Sequence, residues 1–233
     1  MRRYLLVDDN AAFAENLAEI LRDVGADVAV ASQGAEALRL VSATRFDALL
    51  TDMRMPVMGG ARLVHEVRRV DPGLPALVAT AYTGEDDLIA AREEGLLAVL
   101  PKPVPIPRLV SLLERARRGG LVALFEDDPA MADNLAEALR DAGFSAVTAH
   151  SVAETERLGG VRPFAALVDM RVPGGKDGEA LRTLLDKFPG LPTLRITAYP
   201  EAFSFPAGTP LFAKPFDTAR LISAVTQLYQ DRP

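Results

Sequence analysis

Short apolar runs alternate along the chain with longer stretches in which apolar positions repeat every three or four residues. The runs predict β-strands, and the repeats predict amphipathic helices that pack one face against a core. In the first half, the predicted strands are YLLV (4–7), DVAVA (27–31), FDALLT (46–51), ALVAT (76–80) and AVLP (98–101). The predicted helices lie near 34–43, 60–70, 84–94 and 107–117, after a first helix whose apolar face holds Phe13, Leu17, Ile20, Leu21 and Val24. Strands that are apolar throughout are typical of parallel sheets covered by helices on both faces.

The same pattern occurs a second time. NLAE returns at 134–137, TAY returns at 197–199, LLTDMRMP returns as LVDMRVP, and KPV returns as KPF. Landmarks that recur in the same order roughly 115 residues apart indicate a duplicated domain, since a solenoid repeat is much shorter. We expect one domain over 1–118 and another over 119–233, with the boundary in RARRGGL.

The second copy predicts the same alternation of strands and helices, with one difference. Its first helix has Met131, Leu135, Leu139 and Ala142 on the apolar face, and its last has Leu221, Val225, Leu228 and Tyr229. Prolines at 200, 206 and 210 interrupt the stretch after its fourth strand. Because proline breaks helices, we expect the fourth helix of this copy to be missing or reduced to a turn. The fold class is therefore α/β, with two (βα)5 domains, each a five-stranded parallel sheet with helices on both faces.

Composition narrows the classes of protein that the chain can belong to. Hydrophobic residues make up 49% of the chain, and there is no cysteine. No apolar stretch approaches the ~20 residues of a membrane-spanning helix, and the start of the chain does not read as a signal peptide. We therefore expect a cytoplasmic protein without disulfides or a membrane contact. The net charge of −6 argues against direct nucleic-acid binding.

Polar side chains stand where the predicted strands end. The first copy places Asp8, Asp9, Asp52, Thr80 and Lys102 there, and the second places Glu126, Asp127, Asp169, Thr197 and Lys214 there. Each residue alone is consistent with a helix cap, a strand end or a surface turn. Together they meet at the carboxyl edge of a parallel sheet, where ligands bind. Clustered carboxylates suit Mg²⁺, and a lysine with a hydroxyl suits a phosphoryl group.

These residues resemble the receiver domain of bacterial response regulators, in both halves of the chain. The carrying motifs are VDDN with Asp52, Thr80 and Lys102-Pro103, and FEDD with Asp169, Thr197 and Lys214-Pro215. The resemblance implies flavodoxin-like domains with strand order 2-1-3-4-5. It also implies that each Lys-Pro bond is cis.

The resemblance implies roles for the residues of both sites. Asp52 and Asp169 would be phosphoacceptors, Lys102 and Lys214 would contact a phosphate oxygen, and Thr80 and Thr197 would move toward another. Mg²⁺ would be held by Asp8, Asp9, Asp52 and the backbone carbonyl of Arg54, and by Glu126, Asp127, Asp169 and the backbone carbonyl of Arg171. The protein would be a regulatory phosphoacceptor and no enzyme beyond self-phosphotransfer and autodephosphorylation. Its phosphodonor would be a sensor histidine kinase or a histidine phosphotransfer protein.

The sequence departs from the family pattern at several positions. Receivers usually carry an aromatic residue three positions before the lysine, where this chain has Val99 and Leu211. We hypothesise that Arg54 with Tyr82, and Arg171 with Tyr199, shield the aspartyl phosphate from water. A double variant would then keep its phosphoryl group no longer than the parent does.

The altered fourth helix bears on assembly and output. The face built from the fourth helix, fifth strand and fifth helix usually carries dimerisation in this family, so we expect any homodimer to form through the first domain. The sequence shows no DNA-binding, cyclase or kinase motif after the second copy. Unless the chain is a fragment of a longer protein, output would therefore run through a downstream protein target.

Other readings of the sequence remain. The protein could be a phosphate sink or relay intermediate, or its second domain a non-phosphorylated scaffold. An aspartate-nucleophile hydrolase is disfavoured because Arg54 and Arg171 occupy the position of its second, acid-base aspartate.

Overall fold

The computed structural model describes residues 1–81, 95–160, 162–203 and 210–232. The chain divides into two compact units. The first unit comprises Met1–Gly119 with Gly143–Ser145, and the second comprises Gly120–Ala142 with Ala146–Pro233.

The first unit is built on a parallel sheet in the order β2-β1-β3-β4-β5. Its elements are β1 (Arg3–Val7), α1 (Ala11–Asp23), β2 (Asp27–Ala31), α2 (Gly34–Ala43), β3 (Ala48–Asp52), α3 (Gly60–Val70), β4 (Ala76–Thr80), β5 (Ala98–Pro101) and α4 (Ile106–Arg115). Successive strand residues point to opposite faces, so Leu5 and Leu6 belong to different hydrophobic clusters. Helices α1 and α4 cover one face and α2 and α3 the other.

The second sheet has the order β7-β6-β8-β9-β10. When its strands are numbered from one along the chain, this is the 2-1-3-4-5 order of the first sheet. Its elements are β6 (Leu121–Phe125), α5 (Pro129–Asp141), β7 (Ser145–Ala149), a 3-10 helix (Val152–Gly160), β8 (Ala165–Asp169), α6 (Glu179–Lys187), β9 (Thr193–Thr197), a 3-10 turn (Pro200–Ala202), β10 (Leu211–Ala213) and α7 (Thr218–Gln230). The predicted fold class, with two flavodoxin-like sheets of order 2-1-3-4-5, is confirmed.

Side-chain caps begin the helices that follow the first strand of each sheet. Asn10 accepts a hydrogen bond from the backbone N–H of Phe13, and Asp128 accepts from those of Ala130 and Met131. These caps satisfy amide groups that have no partner inside the helix. They start α1 and α5 immediately beside the acidic residues that follow β1 and β6.

Three sequence predictions need correction or fall outside the described residues. Ile20 and Val24 are exposed, because the buried stripe of α1 runs through Ala14, Leu17, Ala18 and Leu21. The second helix of the second copy is a 3-10 helix, in a segment that contains β-branched Val152 and Thr155 and ends in two glycines, all poor helix formers. The predicted helix at 84–94 and residue Tyr82 lie outside the described residues.

The fourth helix of the second copy is replaced, within the described residues, by the turn at Pro200–Ala202. Residues 204–209 of the same segment lie outside the described part of the chain. Among the helices of the described ranges, none combines the length and apolar character that crossing a membrane requires.

Candidate functional site

The first sheet brings five predicted site residues to its carboxyl edge. Asp8 and Asp9 follow β1, and Asp52 is the last residue of β3. Asp52 is in register with Ala79 of β4, so the next residue, Thr80, ends the neighbouring strand. The backbone N–H of Lys102 donates to the carbonyl of Thr80 at 2.9 Å, which fixes the lysine beside that strand end. The peptide bond from Lys102 to Pro103 is cis, as the resemblance implied.

The ammonium group of Lys102 bridges two carboxylates. Its Nζ atom lies 2.6 Å from Oδ2 of Asp8 and 2.8 Å from Oδ1 of Asp52. Both aspartates are buried, whereas Asp9 is exposed. Burial by itself would lower the pKa of Lys102, but its hydrogen bonds to Asp52 and Asp8 and the charges of those carboxylates outweigh burial and raise the pKa. Lys102 is therefore a cation that offsets the repulsion between the two acids.

Backbone amides hold the free oxygens of the same carboxylates. The N–H of Asn10 donates to Asp8 at 2.9 Å, and the N–H of Arg54 donates to Asp52 at 3.1 Å.

The start of α3 packs tightly against the backbone of Asp52. A Cβ atom at Gly60 would lie 2.4 Å from the carbonyl oxygen of Asp52. Glycine is therefore needed here for a close approach of two backbone segments.

The second sheet repeats the site with a glutamate in place of the first aspartate. Nζ of Lys214 lies 2.9 and 2.8 Å from the two carboxylate oxygens of Glu126 and 2.6 Å from Oδ2 of Asp169. The N–H of Arg171 donates to Asp169 at 2.9 Å, and the N–H of Lys214 donates to the carbonyl of Thr197 at 2.8 Å. The Lys214-Pro215 bond is also cis.

Charges in the second site are more deeply buried. Glu126 is fully buried, and this burial raises its pKa even though Lys214 acts in the opposite direction. The pKa of Lys214 is raised as well, because the hydrogen bonds and charges of Asp169 and Glu126 outweigh the effect of burial. His150, which the sequence analysis did not assign to the site, lies with Nδ1 2.8 Å from the backbone carbonyl oxygen of Glu126.

Arg171 and Tyr199 lie two positions after Asp169 and Thr197, respectively. The guanidinium carbon of Arg171 lies 4.0 Å from the centroid of the Tyr199 ring, within the range of a cation–π contact. Arg171 is also paired with Asp177, whose carboxylate oxygen lies 3.1 Å from Nε. The N–H of Tyr199 donates to Oγ1 of Thr197 at 3.1 Å, so the tyrosine is tied to the site threonine. The two side chains that the shielding hypothesis singled out in this unit are therefore in contact.

Each site groups three carboxylates that can converge on one cation. Oxygens of Asp8, Asp9 and Asp52 lie within 4.8 Å of one another, as do oxygens of Glu126, Asp127 and Asp169. Opposite ligands of an octahedral Mg²⁺ ion are about 4 Å apart. Small side-chain adjustments would let either group bind such an ion, so the donor sets fit a hard divalent cation.

Comparisons with known proteins indicate a family for the chain. Residues 4–114 match the model of the response regulator receiver domain. A response regulator receiver protein from Anaeromyxobacter sp. (strain Fw109-5) is 65% identical over 232 residues, which is 100% of this chain and 97% of that protein. Response regulator MprA from Mycobacterium ulcerans is 32% identical over 73% of this chain and 72% of its own length. The transcriptional regulatory protein GlrR of Escherichia coli is 35% identical over 48% of this chain, but only 25% of its own length is covered.

Solved structures of single receiver domains also match. One is the receiver domain of a sensor histidine kinase from Pseudomonas aeruginosa PAO1, whose active-site cleft coordinates a magnesium ion. It is 29% identical, with a TM-score of 0.46 over 49% of this chain and 95% of that one. Another is chemotaxis protein CheY4 from Vibrio cholerae, which is 32% identical, with a TM-score of 0.47 over 49% of this chain and 98% of that one. The full-length identity to the Anaeromyxobacter protein, with the receiver-domain match over 4–114, shows that the chain belongs to the response regulator receiver family.

Proposed function

We propose that the protein receives phosphoryl groups on Asp52 and Asp169 and transmits the change through protein contacts. The observation that carries this proposal is the lysine bridge in each site. Lys102 joins Asp8 to Asp52, and Lys214 joins Glu126 to Asp169, at 2.6–2.9 Å. A cation fixed beside a buried carboxylate is suited to hold a phosphoryl oxygen that arrives there.

The transfer needs little covalent machinery. A carboxylate oxygen of Asp52 attacks phosphorus while the bond from phosphorus to the donor imidazole nitrogen breaks. The electron pair of that bond stays on the imidazole, and the carboxylate has no proton to lose. Positioning and charge neutralisation are therefore the main contributions of the protein. Lys102 supplies positive charge, and the N–H of Arg54 orients the acceptor at 3.1 Å.

Magnesium is the cofactor that the site chemistry favours. In the first unit Asp8, Asp9, Asp52 and the backbone carbonyl of Arg54 would hold the ion. In the second, Glu126, Asp127, Asp169 and the backbone carbonyl of Arg171 would do so. When bound, the ion neutralises charge on the phosphoryl oxygens. The support in this molecule is the pair of three-carboxylate groups, each within 4.8 Å.

Thr80 and Thr197 are the proposed sensors of phosphorylation. Both are buried at the ends of the strands next to the acceptors. A threonine hydroxyl that moves to bond the phosphoryl group would shift the loop behind it. Val99 and Leu211 are partly buried at the positions where the family usually has an aromatic residue. The response in this chain would therefore run through the loops that follow Thr80 and Thr197 without an aromatic rotation.

A sensor histidine kinase or a histidine phosphotransfer protein is the proposed phosphodonor, and a downstream protein is the proposed target.

We place the domain boundary between residues 118 and 119, and any homodimer on the first domain. The support for the second assignment is the short turn at Pro200–Ala202, where the second domain has lost helical structure within the described residues.

Phosphorylation by a small donor tests the proposal. The chain is incubated with Mg²⁺ and acetyl phosphate and weighed intact, beside Asp52→Ala, Asp169→Ala and the double variant. Two added phosphoryl groups, one lost in each single variant and both in the double variant, are expected. An unmodified parent that also takes no phosphoryl group from any phosphorylated histidine phosphotransfer protein would contradict it.

The second domain has one competing role, that of a scaffold. The contact between the side chains of Arg171 and Tyr199 favours this candidate, because a pair held together two positions after Asp169 and Thr197 would restrict access to Asp169. A parent that gains a single phosphoryl group, on Asp52 alone, would support the scaffold role. Rapid transfer from Asp52 or Asp169 back to a phosphotransfer protein would instead support a sink or relay.

A further inference from the structure

The ring of Phe13 lies under the ammonium group of Lys102. Nζ of Lys102 is 4.6 Å from the ring centroid, within the range of a cation–π contact. A small cavity of about 10 Å³ is lined by Phe13 together with Asp8 and Asp52. The ring therefore faces the carboxylates of the first site, although the sequence pattern assigns Phe13 only to the core face of α1.

Local structure fixes the ring in this place. The N–H of Phe13 donates to the side chain of Asn10 at 3.1 Å, which holds the first turn of α1 beside the site. Phe13 also packs, partly buried, against the hydrophobic cluster that contains Leu17 and Leu109. A phenylalanine side chain has only two rotatable bonds, and the ring of Phe13 is already packed on one side. Holding the ring beneath Lys102 therefore costs little further conformational entropy.

The two site lysines differ in the number of carboxylate oxygens that they contact. Lys214 contacts three carboxylate oxygens, two of Glu126 and one of Asp169. Within the described part of the chain, Lys102 contacts two, one of Asp8 and one of Asp52. Glu126 is one methylene longer than Asp8, and the position equivalent to Phe13 is Met131, the third residue of α5. Among the described residues, the lysine with fewer carboxylate contacts is the one that has an aromatic ring beneath it.

We propose that Phe13 is a positioning residue that keeps the Lys102 ammonium beside Asp52 as that carboxylate becomes phosphorylated. The inference rests on the proposed function of Asp52. When an oxygen of Asp52 bonds to phosphorus, its hydrogen bond to Lys102 must pass to a phosphoryl oxygen. The cation–π attraction between the ring and the ammonium group does not depend on which oxygen accepts the hydrogen bond. It therefore persists while that hydrogen bond passes from Asp52 to the phosphoryl group.

Kinetics of Asp52 phosphorylation test the proposal in an Asp169→Ala background. Phe13→Met introduces the residue of the second copy, and Phe13→Tyr retains an aromatic face. With acetyl phosphate and Mg²⁺, we expect Phe13→Met to slow phosphorylation roughly two- to fivefold and Phe13→Tyr to keep the parent rate. Met131→Leu, in an Asp52→Ala background, is the matched control and should leave the rate at Asp169 unchanged.

Lysine NMR gives a readout that does not depend on phosphorylation. The chain has four lysines, and Lys102 is the only one before residue 118. In protein labelled with ¹³C at the lysine ε-carbon, the ring should shift the Lys102 signal upfield. The shift should vanish in Phe13→Met and survive in Phe13→Tyr, with the Lys214 signal constant in both.

The outcomes separate this inference from the function on which it rests. An unphosphorylated Asp52 in the parent would remove the proposed function and this inference with it. A phosphorylated parent whose rate is the same in Phe13→Met overturns the role of Phe13 alone. So does a Lys102 signal that Phe13→Met leaves in place. If Phe13→Met lowers the thermal unfolding temperature, Phe13→Leu is measured in its place, with the same expectation.

Discussion

The ammonium nitrogen of Lys102 lies 2.8 Å from a carboxylate oxygen of Asp52, fifty positions earlier in the chain. Parallel strands bring the two residues together, because β3 and β5 flank β4 and end at the same edge of the sheet. The same relationship recurs between Lys214 and Asp169 at 2.6 Å. The same charge arrangement therefore occurs in both copies, and it predicts a role for the lysine in phosphorylation.

Removing the lysine should slow phosphorylation of the partner aspartate. In an Asp169→Ala background, Lys102→Met keeps a long apolar stem but loses the charge that would hold a phosphoryl oxygen. We expect the rate with acetyl phosphate and Mg²⁺ to fall roughly tenfold or more, measured by intact mass. Lys176→Met, which changes an exposed lysine, should have no effect. A parental rate in Lys102→Met would show that the ammonium group is not used.

The contact of Arg171 with Tyr199 should lengthen the life of a phosphoryl group on Asp169. In an Asp52→Ala background, the double variant Arg171→Ala/Tyr199→Ala opens the side of the site to water. Its aspartyl phosphate should decay faster than that of the parent after the donor is removed. Glu201→Ala, an exposed change in the same segment, is the control. A longer half-life in the double variant would refute shielding.

A methyl group at Gly60 should disturb the phosphoacceptor loop. The new Cβ would lie 2.4 Å from the backbone oxygen of Asp52, which cannot move aside as a flexible side chain can. We expect Gly60→Ala to lower the free energy of unfolding by about 1–3 kcal/mol in urea titrations. Gly34→Ala also alters the first residue of a helix, but there the Cβ would meet the side chain of Met58 first. Gly34→Ala should therefore lower the free energy of unfolding by less than Gly60→Ala does. An equal decrease would argue against the close approach of Gly60 to the backbone of Asp52.

Stability at alkaline pH should depend on Tyr4. Burial, the largest effect, raises the pKa of Tyr4 above its ordinary value of 10.0. The folded state therefore holds this proton more tightly than the unfolded state does. The resulting stability is complete below pH 10 and is lost as the pH rises through the folded-state pKa.

Comparison with Tyr4→Phe isolates this contribution. Between pH 8 and pH 11, the parent should lose more free energy of unfolding than Tyr4→Phe does. Lys102 and Lys214 titrate in the same alkaline range, but they are present in both proteins and cancel in the difference. Identical losses would show that the Tyr4 hydroxyl is not held in its protonated form by the fold.

The periodicity of the sequence predicts two parallel sheets and the edge where the candidate sites lie, and the family resemblance adds the strand order. Alternating apolar runs and helices leave few topologies for a parallel sheet. The duplication also shows each motif twice, at matching positions of the two domains. The same periodicity placed Ile20 and Val24 on the buried face of α1, where the structure exposes them. A helical pattern gives the direction of the apolar face, but its width depends on how closely the neighbouring helix packs.

Some contacts between side chains that are distant in sequence could not be predicted. The position of Phe13 under Lys102 depends on the rotation of α1 and the direction of a lysine from β5. The pairing of Arg118 with Asp71, where two N–H···O contacts of 2.9 and 2.7 Å join α3 to the end of the first unit, also had no signal in the sequence. Both contacts depend on the packed arrangement of elements, which periodicity does not determine.

Chemical trapping of the aspartyl phosphate tests the central claim most directly. The unmodified chain is treated with acetyl phosphate and Mg²⁺ and then with borohydride, which reduces an acyl phosphate to an alcohol. Peptide mass spectrometry should find homoserine in place of Asp52 and Asp169, and aspartate retained at Asp9 and Asp127. Reduction at other aspartates, with Asp52 and Asp169 intact, would contradict the assignment of the two phosphoacceptors.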